Sequence, residues 1–165
     1  MLRLVSIAPG TPETSARVAL WSAISRISIE EEGATNLTID STTPPGRAAA
    51  EVATDAALLA SIGVRVDDPQ RLLRPIREAA GVLADLGPRV LSVDLYADRA
   101  WVAGVSDWGD EMDVLFRETA WATLQAAIND TCPNAVVDQA EARSRPLFGE
   151  TGGVGRRARG GSPAS

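Results

Sequence analysis

The sequence predicts a mixed α/β fold in which about four strands form a sheet covered by about four helices. Segments of alternating apolar residues are interspersed with longer segments of helical spacing, and Gly or Pro separates one from the next. The 165 residues, 45% of them hydrophobic, are enough for one ordinary domain with its own core. The expected order is β-α-β-α-α-β-β-α over residues 1–142, followed by a flexible Gly/Arg-rich tail over 143–165.

The first two elements are a strand and a helix. Residues 2–8 alternate as a strand does, and Pro9-Gly10 ends the run. Thr11 is placed to cap a helix that has Pro12 in its first turn and ends before Gly33.

A second strand and helix follow. Residues 35–40 alternate, with Leu37 and Ile39 on one face. A loop rich in Ser, Thr and Pro then leads into a helix over about 46–62, which Gly63 stops.

A third helix is expected to begin at Asp68-Pro69 and to reach Gly87-Pro88. Pro75 lies inside it. Since an interior proline costs about 3 kcal/mol, we expect a kink or a fresh start there.

Residues 89–97 and 100–106 read as an antiparallel hairpin, with Trp101, Ala103 and Val105 on one face. The last helix is expected over 110–129, because its apolar residues recur at helical spacing.

The residues around the start of this expected helix are acidic. Asp107, Asp110 and Glu111 fit the positive end of a helix dipole without any metal ion. Trp108, just outside the helix, is expected to be an exposed aromatic anchor for a partner.

Composition excludes several enzyme classes. The chain has no histidine and no lysine, and its only cysteine is Cys132. A Ser-His-Asp triad, a zinc site of Cys and His ligands, a lysine-bearing phosphate loop and a pyridoxal enzyme are therefore ruled out. The arginine-only basic set and abundant alanine are typical of a GC-rich bacterial genome.

Charge and hydropathy indicate the compartment and the partners. Residues 1–142 carry a net charge of −10 and residues 143–165 a net charge of +4. The acidic body makes nucleic acid an improbable partner. The chain has no apolar run of 18 residues and no signal-peptide pattern at its start, so we expect a cytoplasmic protein without a membrane span.

Two strand-to-helix loops are the first candidate site. If the first two strands are parallel neighbours, the loops lie side by side and offer hydroxyls, helix N-termini and a guanidinium to an anion. The candidate ligand-binding residues are Gly10, Thr11, Thr42, Thr43, Gly46 and Arg47. Ordinary turn chemistry explains the same residues, and we favour that explanation.

Two carboxylates are the second candidate. Asp40 and Asp94 occupy the polar sides of two strands, and on a shared face they could divide acid and base roles or bind Mg²⁺. A solvated face is the simpler explanation for them. Mg²⁺ belongs only to this catalytic alternative.

Three functions remain open. The leading hypothesis is a small non-catalytic protein-binding or assembly module that self-associates or docks a protein partner. The alternatives are an enzyme for a small-molecule or phosphate ligand, using Asp40 and Asp94, and a structural subunit of a phage or other particle.

Overall fold

The structure is a computed structural model and describes residues 1–43, 45–63 and 72–142. It has the mixed α/β class that the sequence predicts. The strands are β1 (Leu2–Ala8), β2 (Asn36–Asp40), β3 (Leu72–Pro75), β4 (Ser92–Ala97), β5 (Ala100–Ser106), β6 (Glu111–Arg117) and β7 (Val136–Glu141). The helices are α1 (Thr14–Glu30), α2 (Ala49–Ser61), α3 (Ile76–Leu86) and α4 (Trp121–Thr131).

One sheet holds all seven strands in the order β3-β2-β4-β5-β6-β1-β7, and every neighbouring pair is antiparallel. The main core forms where apolar side chains of the four helices pack on one face of this sheet. Leu20 and Ile24 of α1 and Leu124 of α4 meet Val5 and Val114 there. The opposite face bears a smaller cluster of Tyr96, Trp101 and Leu115.

The expected count of about four strands is wrong, because the sheet gains β3, β6 and β7. The chief error is the helix expected over 110–129, of which the first part is β6 and only Trp121–Thr131 is helical. Every second residue of this segment is buried in the core: Met112, Val114 and Phe116. Leu115 is also apolar, and together with Met112 it produces a spacing that fits a helix equally well. The segment forms a strand because it hydrogen-bonds to β5 on one side and to β1 on the other.

The third helix also differs from the expectation. Residues 72–75 are a strand on β2, and α3 begins at Ile76, immediately after Pro75, so the expected fresh start is confirmed. The expected start at Asp68-Pro69 lies outside the described residues, as does the tail over 143–165.

The β4–β5 hairpin is confirmed, but its faces need a correction. A register shift between Leu95 and Tyr96 pairs Tyr96 with Trp101. Trp101 therefore leaves the core face of Ala103 and lies over Gly104, on the opposite face of the sheet.

Candidate functional site

The two candidate anion-binding loops lie at one end of the sheet but do not follow neighbouring strands. Because every pairing is antiparallel, β1, β2 and β5 all point the same way, and the loops after them share one end. Three strands separate β1 from β2, so the condition under which the two loops would lie side by side is not met. The loop after β5 lies at the same end and contacts both of the other loops.

Trp108 connects that loop to the one after β2. Its indole N–H donates to the Thr42 carbonyl oxygen at 3.1 Å, and its side chain is half-buried rather than fully exposed. Its expected role as an aromatic anchor for a partner stays a prediction. Asp107, Trp108 and Gly109 have φ values of 48°, 54° and 89°. For the first two residues this left-handed backbone is unfavourable, so surrounding contacts must hold the loop in place.

Arg17 of α1 connects the same loop to the one after β1. Its Nε donates to the Thr11 carbonyl oxygen at 2.8 Å, and its Nη1 lies 2.9 Å from Asp110 Oδ1. Asp110 therefore pairs with Arg17. No helix begins at Asp110 or Glu111, so their expected role as helix-capping acids is wrong.

The remaining residues of the two loops mostly stabilise turns. The Thr11 hydroxyl accepts a hydrogen bond from the Glu13 amide at 3.2 Å. Gly10 and Gly46 have φ values of 69° and 78°, a conformation that glycine adopts without strain. Turn chemistry accounts for these positions, and their role in binding a ligand stays a prediction.

Asp40 and Asp94 do share a face, as the carboxylate hypothesis requires. Asp40 pairs with Ser92 across β2 and β4, and Asp94 pairs with Thr38, which places the two acids diagonally on one face. Such diagonal neighbours have Cβ atoms about 7 Å apart.

Each of these carboxylates is nevertheless engaged locally. Asp40 Oδ1 accepts hydrogen bonds from the Thr42 hydroxyl at 2.7 Å and from the Thr42 amide at 3.1 Å. Asp94 Oδ1 accepts from the Trp101 indole at 2.9 Å, over Gly104. Across the described residues, no group of three or more His, Cys, Asp or Glu side chains could hold a metal ion. The Mg²⁺ alternative therefore gains no further ligand here.

Asp113 extends the polar row across β6. It pairs with Gly104 on one side and Ser6 on the other, so it lies on the same face as Asp94. Burial raises the pKa of Asp113, and a hydrogen bond with Ser6 only partly opposes the rise. The fold therefore favours the protonated form of Asp113.

A cleft of about 750 Å³ separates α1 from α2. Its walls carry hydroxyls, small apolar groups and charges: Thr14, Ser15, Val18, Ala19, Ser22, Arg47, Glu51, Thr54, Asp55, Asp85 and Arg89. The volume lies within the range of about 300–1,000 Å³ that is common for ligand sites.

Asp55, a buried acid of α2, is the centre of the charged wall. Arg47 Nη2 lies 2.8 Å from Asp55 Oδ2, and Arg89 Nη1 lies 3.0 Å from Oδ1. Arg89 also donates through Nε and Nη2 to the Asp85 carbonyl oxygen at the end of α3. The Asp55 carboxylate thus connects α2 to Arg47, in the segment before the helix. Through Arg89 it also connects α2 to the end of α3.

Arg47 responds to this setting. Burial lowers its pKa, but hydrogen bonds and attraction to Asp55 and Glu51 outweigh that effect and raise the pKa overall. Arg47 therefore faces carboxylates of its own chain. With Ser41 and Thr43, it lines a small interior cavity that Asp55 and Arg89 also reach. Thr43 and Arg47 are the two predicted ligand residues brought to a common cavity.

The sequence analysis missed Asp55, although a signal was present. Asp55 follows Val52 by three positions and precedes Leu59 by four, so an acid occupies the apolar stripe of the predicted helix. A buried acid is rare without a partner. The pattern predicts an arginine nearby, and the structure supplies two.

The rest of α2 is unusual for an apolar helix, because most of it faces outward. Only Asp55 and Leu59 are buried. Its exposed apolar residues are Ala49, Ala50, Ala53, Ala57, Leu58 and Ala60. A helix of this composition normally packs its apolar face against other protein.

Comparison with known proteins identifies no relative: no family model, curated protein or solved structure matches the chain. Within the described part of the chain, each helix is too short or too polar to cross a bilayer.

Proposed function

We propose that this protein is a non-catalytic assembly module that associates with a second copy of itself through α2. One observation carries the proposal: α2 is rich in apolar residues and yet leaves Ala57 and Leu58 exposed, the latter to 38%. Exposed apolar surface on a helix is typical of a surface that another protein covers.

The occupant we propose is the α2 helix of the other copy. The 13 residues of α2 span about 20 Å, which is too little surface for the roughly 800 Å² that each partner buries in a stable interface. The cleft beside α2 supplies the remainder, because Val18 and Ala19 form part of its α1 wall. In a two-fold arrangement, each α2 lies along the other copy's cleft.

Charge is consistent with this arrangement. The chain has a formal net charge of −6, which opposes self-association in general. Arg47 and Arg89 line the cleft, so the approaching surface meets positive groups there rather than acids alone.

Sedimentation analysis of the full chain tests the proposal. The unmodified protein should be a dimer at micromolar concentration, and Ala57→Glu should make it a monomer. Ala126→Glu is the matched control, because Ala126 is an exposed alanine of α4 and the substitution adds the same charge. A monomeric unmodified protein, or equal weakening by the two substitutions, would contradict self-association through α2.

The cleft also favours one second function, the binding of a small molecule or phosphate ligand. Its volume and the paired guanidiniums of Arg47 and Arg89 are the supporting observation. Thermal melting with Mg²⁺, phosphate, nucleotides and coenzymes tests it. A ligand at 100 times its dissociation constant stabilises the folded state by about 2.7 kcal/mol.

Variants separate the two versions of that second function. Loss of the thermal shift in Arg47→Gln would place the ligand in the cleft. Loss in Asp40→Asn or Asp94→Asn would instead support the carboxylate site on the sheet.

Two further parts of the hypothesis remain proposals. A ring or larger oligomer, rather than a dimer, would favour the structural subunit of a phage or other particle. A bacterial cytoplasmic location is part of the proposed function, and fractionation of the source cell tests it.

A further inference from the structure

Helix α1 buries two polar side chains that have no hydrogen-bond partner among the described residues. Trp21 is 0% exposed and Ser25 is 7% exposed. Neither the indole nitrogen of Trp21 nor the hydroxyl of Ser25 is hydrogen-bonded to a described protein group. A polar group that is buried without a partner costs free energy, so these two groups need a partner in the interior.

The Ser25 hydroxyl does not form the local bond that a helix offers it. A serine or threonine inside a helix can donate to the carbonyl oxygen four residues before it. Thr54 and Thr131 do so, at 3.0 Å to Ala50 and at 2.7 Å to Ala127. Within the described structure Ser25 makes no such bond, so its hydroxyl is available both to donate and to accept.

The Trp21 indole is held in one orientation. Gly87, which follows α3, lies directly against the five-membered ring, and a Cβ atom at this position would overlap Cδ1 and Nε1. The rest of the side chain belongs to the main core, where close packing leaves it a single rotamer. The indole N–H therefore needs an acceptor at the place where the fold holds it.

A small cavity between α1 and α3 is lined by both Trp21 and Ser25. Its volume is about 10 Å³, close to that of one water-sized sphere. The other lining residues are apolar: Ile29, Ile76, Ala80, Leu83, Ala84 and Leu95. The described lining carries no charged group to stabilise an ion, and the volume leaves no room for an organic molecule.

Polar groups in the lining decide whether such a cavity holds water. Cavities lined only by apolar groups stay dry, whereas a buried water makes about two to four hydrogen bonds. The Trp21 indole supplies one donor, and the Ser25 hydroxyl supplies a donor and an acceptor. Because Ser25 follows Trp21 by four positions, both side chains leave α1 on the same face.

We propose that this cavity is a binding site for one ordered water molecule. The water accepts a hydrogen bond from the Trp21 indole N–H and is hydrogen-bonded to the Ser25 hydroxyl. It satisfies two polar groups that otherwise oppose the packing of α3 on α1. The cavity shares no described lining residue with the cleft, so the site is independent of the proposed self-association and of ligand binding there.

Oxygen-17 relaxation dispersion of the solvent tests the proposal, because its amplitude counts water molecules held inside the folded protein. In Ser25→Val, methyl groups replace the hydroxyl and fill the cavity. We expect the amplitude to fall by the equivalent of about one water molecule. Equal amplitudes in the unmodified protein and in folded Ser25→Val would overturn the proposal.

Ser22→Val is the matched control for this measurement. It is the same substitution on the same helix, but Ser22 lines the open cleft and not the cavity. The amplitude of Ser22→Val should therefore equal that of the unmodified protein. An equal fall in the two variants would also contradict a water at the Trp21 and Ser25 site.

A crystal structure of the unmodified chain tests the site without any substitution. At a resolution that reveals ordered water, density should lie within about 3.2 Å of both Trp21 Nε1 and Ser25 Oγ. Density that misses either atom, or a protein oxygen hydrogen-bonded to Nε1, would overturn the proposal even if Ser25→Val fails to fold.

Discussion

Replacing Asp55 with asparagine tests how α2 is held to the protein. Asparagine keeps the shape and nearly the same helix propensity, so the substitution removes little besides the negative charge. Arg47 and Arg89 then lose the carboxylate that lies 2.8 and 3.0 Å from them. Two guanidiniums are left facing each other across a neutral amide.

The expected loss lies between two known limits. Breaking a fully buried ion pair costs about 3–5 kcal/mol, and breaking an exposed one costs about 0–1 kcal/mol. The Asp55 side chain is 10% exposed, but those of Arg47 and Arg89 are 19% and 28% exposed, so solvent relieves part of the cost. We expect Asp55→Asn to lower the free energy of unfolding by about 2–3 kcal/mol.

Urea unfolding measures this change, and hydrogen exchange locates it. In a domain of this length, about 2–3 kcal/mol corresponds to a Tm lower by roughly 5–10 °C. The amides of α2 should lose protection first, because Asp55 and Leu59 are its only buried residues. Glu51→Gln is the control, since Glu51 pairs with the same Arg47 but is 61% exposed, and we expect a loss of under about 0.5 kcal/mol. Equal losses in the two variants would refute the reasoning.

Three further predictions concern Gly104, Asp113 and Trp108. Gly104→Ala should lower stability by about 1–3 kcal/mol in urea unfolding, because its Cβ would lie 2.5 Å from Asp94 Oδ1. Gly81→Ala, in open space on α3, should instead raise it by up to about 1 kcal/mol, and a loss there would contradict this account. The raised pKa of Asp113 means that its carboxyl group stabilises the fold while protonated and loses this contribution as pH rises above the ordinary pKa of 3.8; Asp113→Asn should remove this pH-dependent contribution, and parallel curves of stability against pH for the two proteins would count against it. Trp108→Phe should cost about 1 kcal/mol through the lost hydrogen bond to Thr42, and unchanged unfolding would show that the bond is not needed.

The fold was predictable where one periodicity dominates the sequence. The expected bounds of β1 and β5 agree with the structure, and the restart after Pro75 follows from the missing amide of proline. β6 was not predictable in the same way, because Met112, Leu115 and Phe116 satisfy helical spacing while Met112 and Phe116 also alternate as in a strand. Only the pairing of β6 with β5 and with the distant β1 resolves such a pattern.

The candidate site was predictable as a set of residues but not as an arrangement. The shared face of Asp40 and Asp94 follows from strand alternation, and the structure has it. The partners of Arg47 do not follow from its position in a loop. Arg47 reaches Asp55 two turns into α2, and a third residue, Arg89, joins them from 34 positions away. The spacing of residues along the chain does not show that Arg47, Asp55 and Arg89 come into contact in the fold.

The Asp55 cluster can hold α2 in place while the apolar face of this helix stays exposed. A helix with only one fully buried large apolar residue, Leu59, gains little from burial, which contributes about 1.5–3 kcal/mol for such a side chain. Directional ion pairs to Arg47 and Arg89 fix the orientation of α2 without covering its alanines. The arrangement holds a small-residue surface in place while leaving it available for another helix. If Asp55→Asn abolishes dimerisation while Ala126→Glu leaves it intact, orientation of α2 by this cluster is a requirement of assembly. If Asp55→Asn dimerises with undiminished affinity, the Asp55 cluster is not required for assembly through α2.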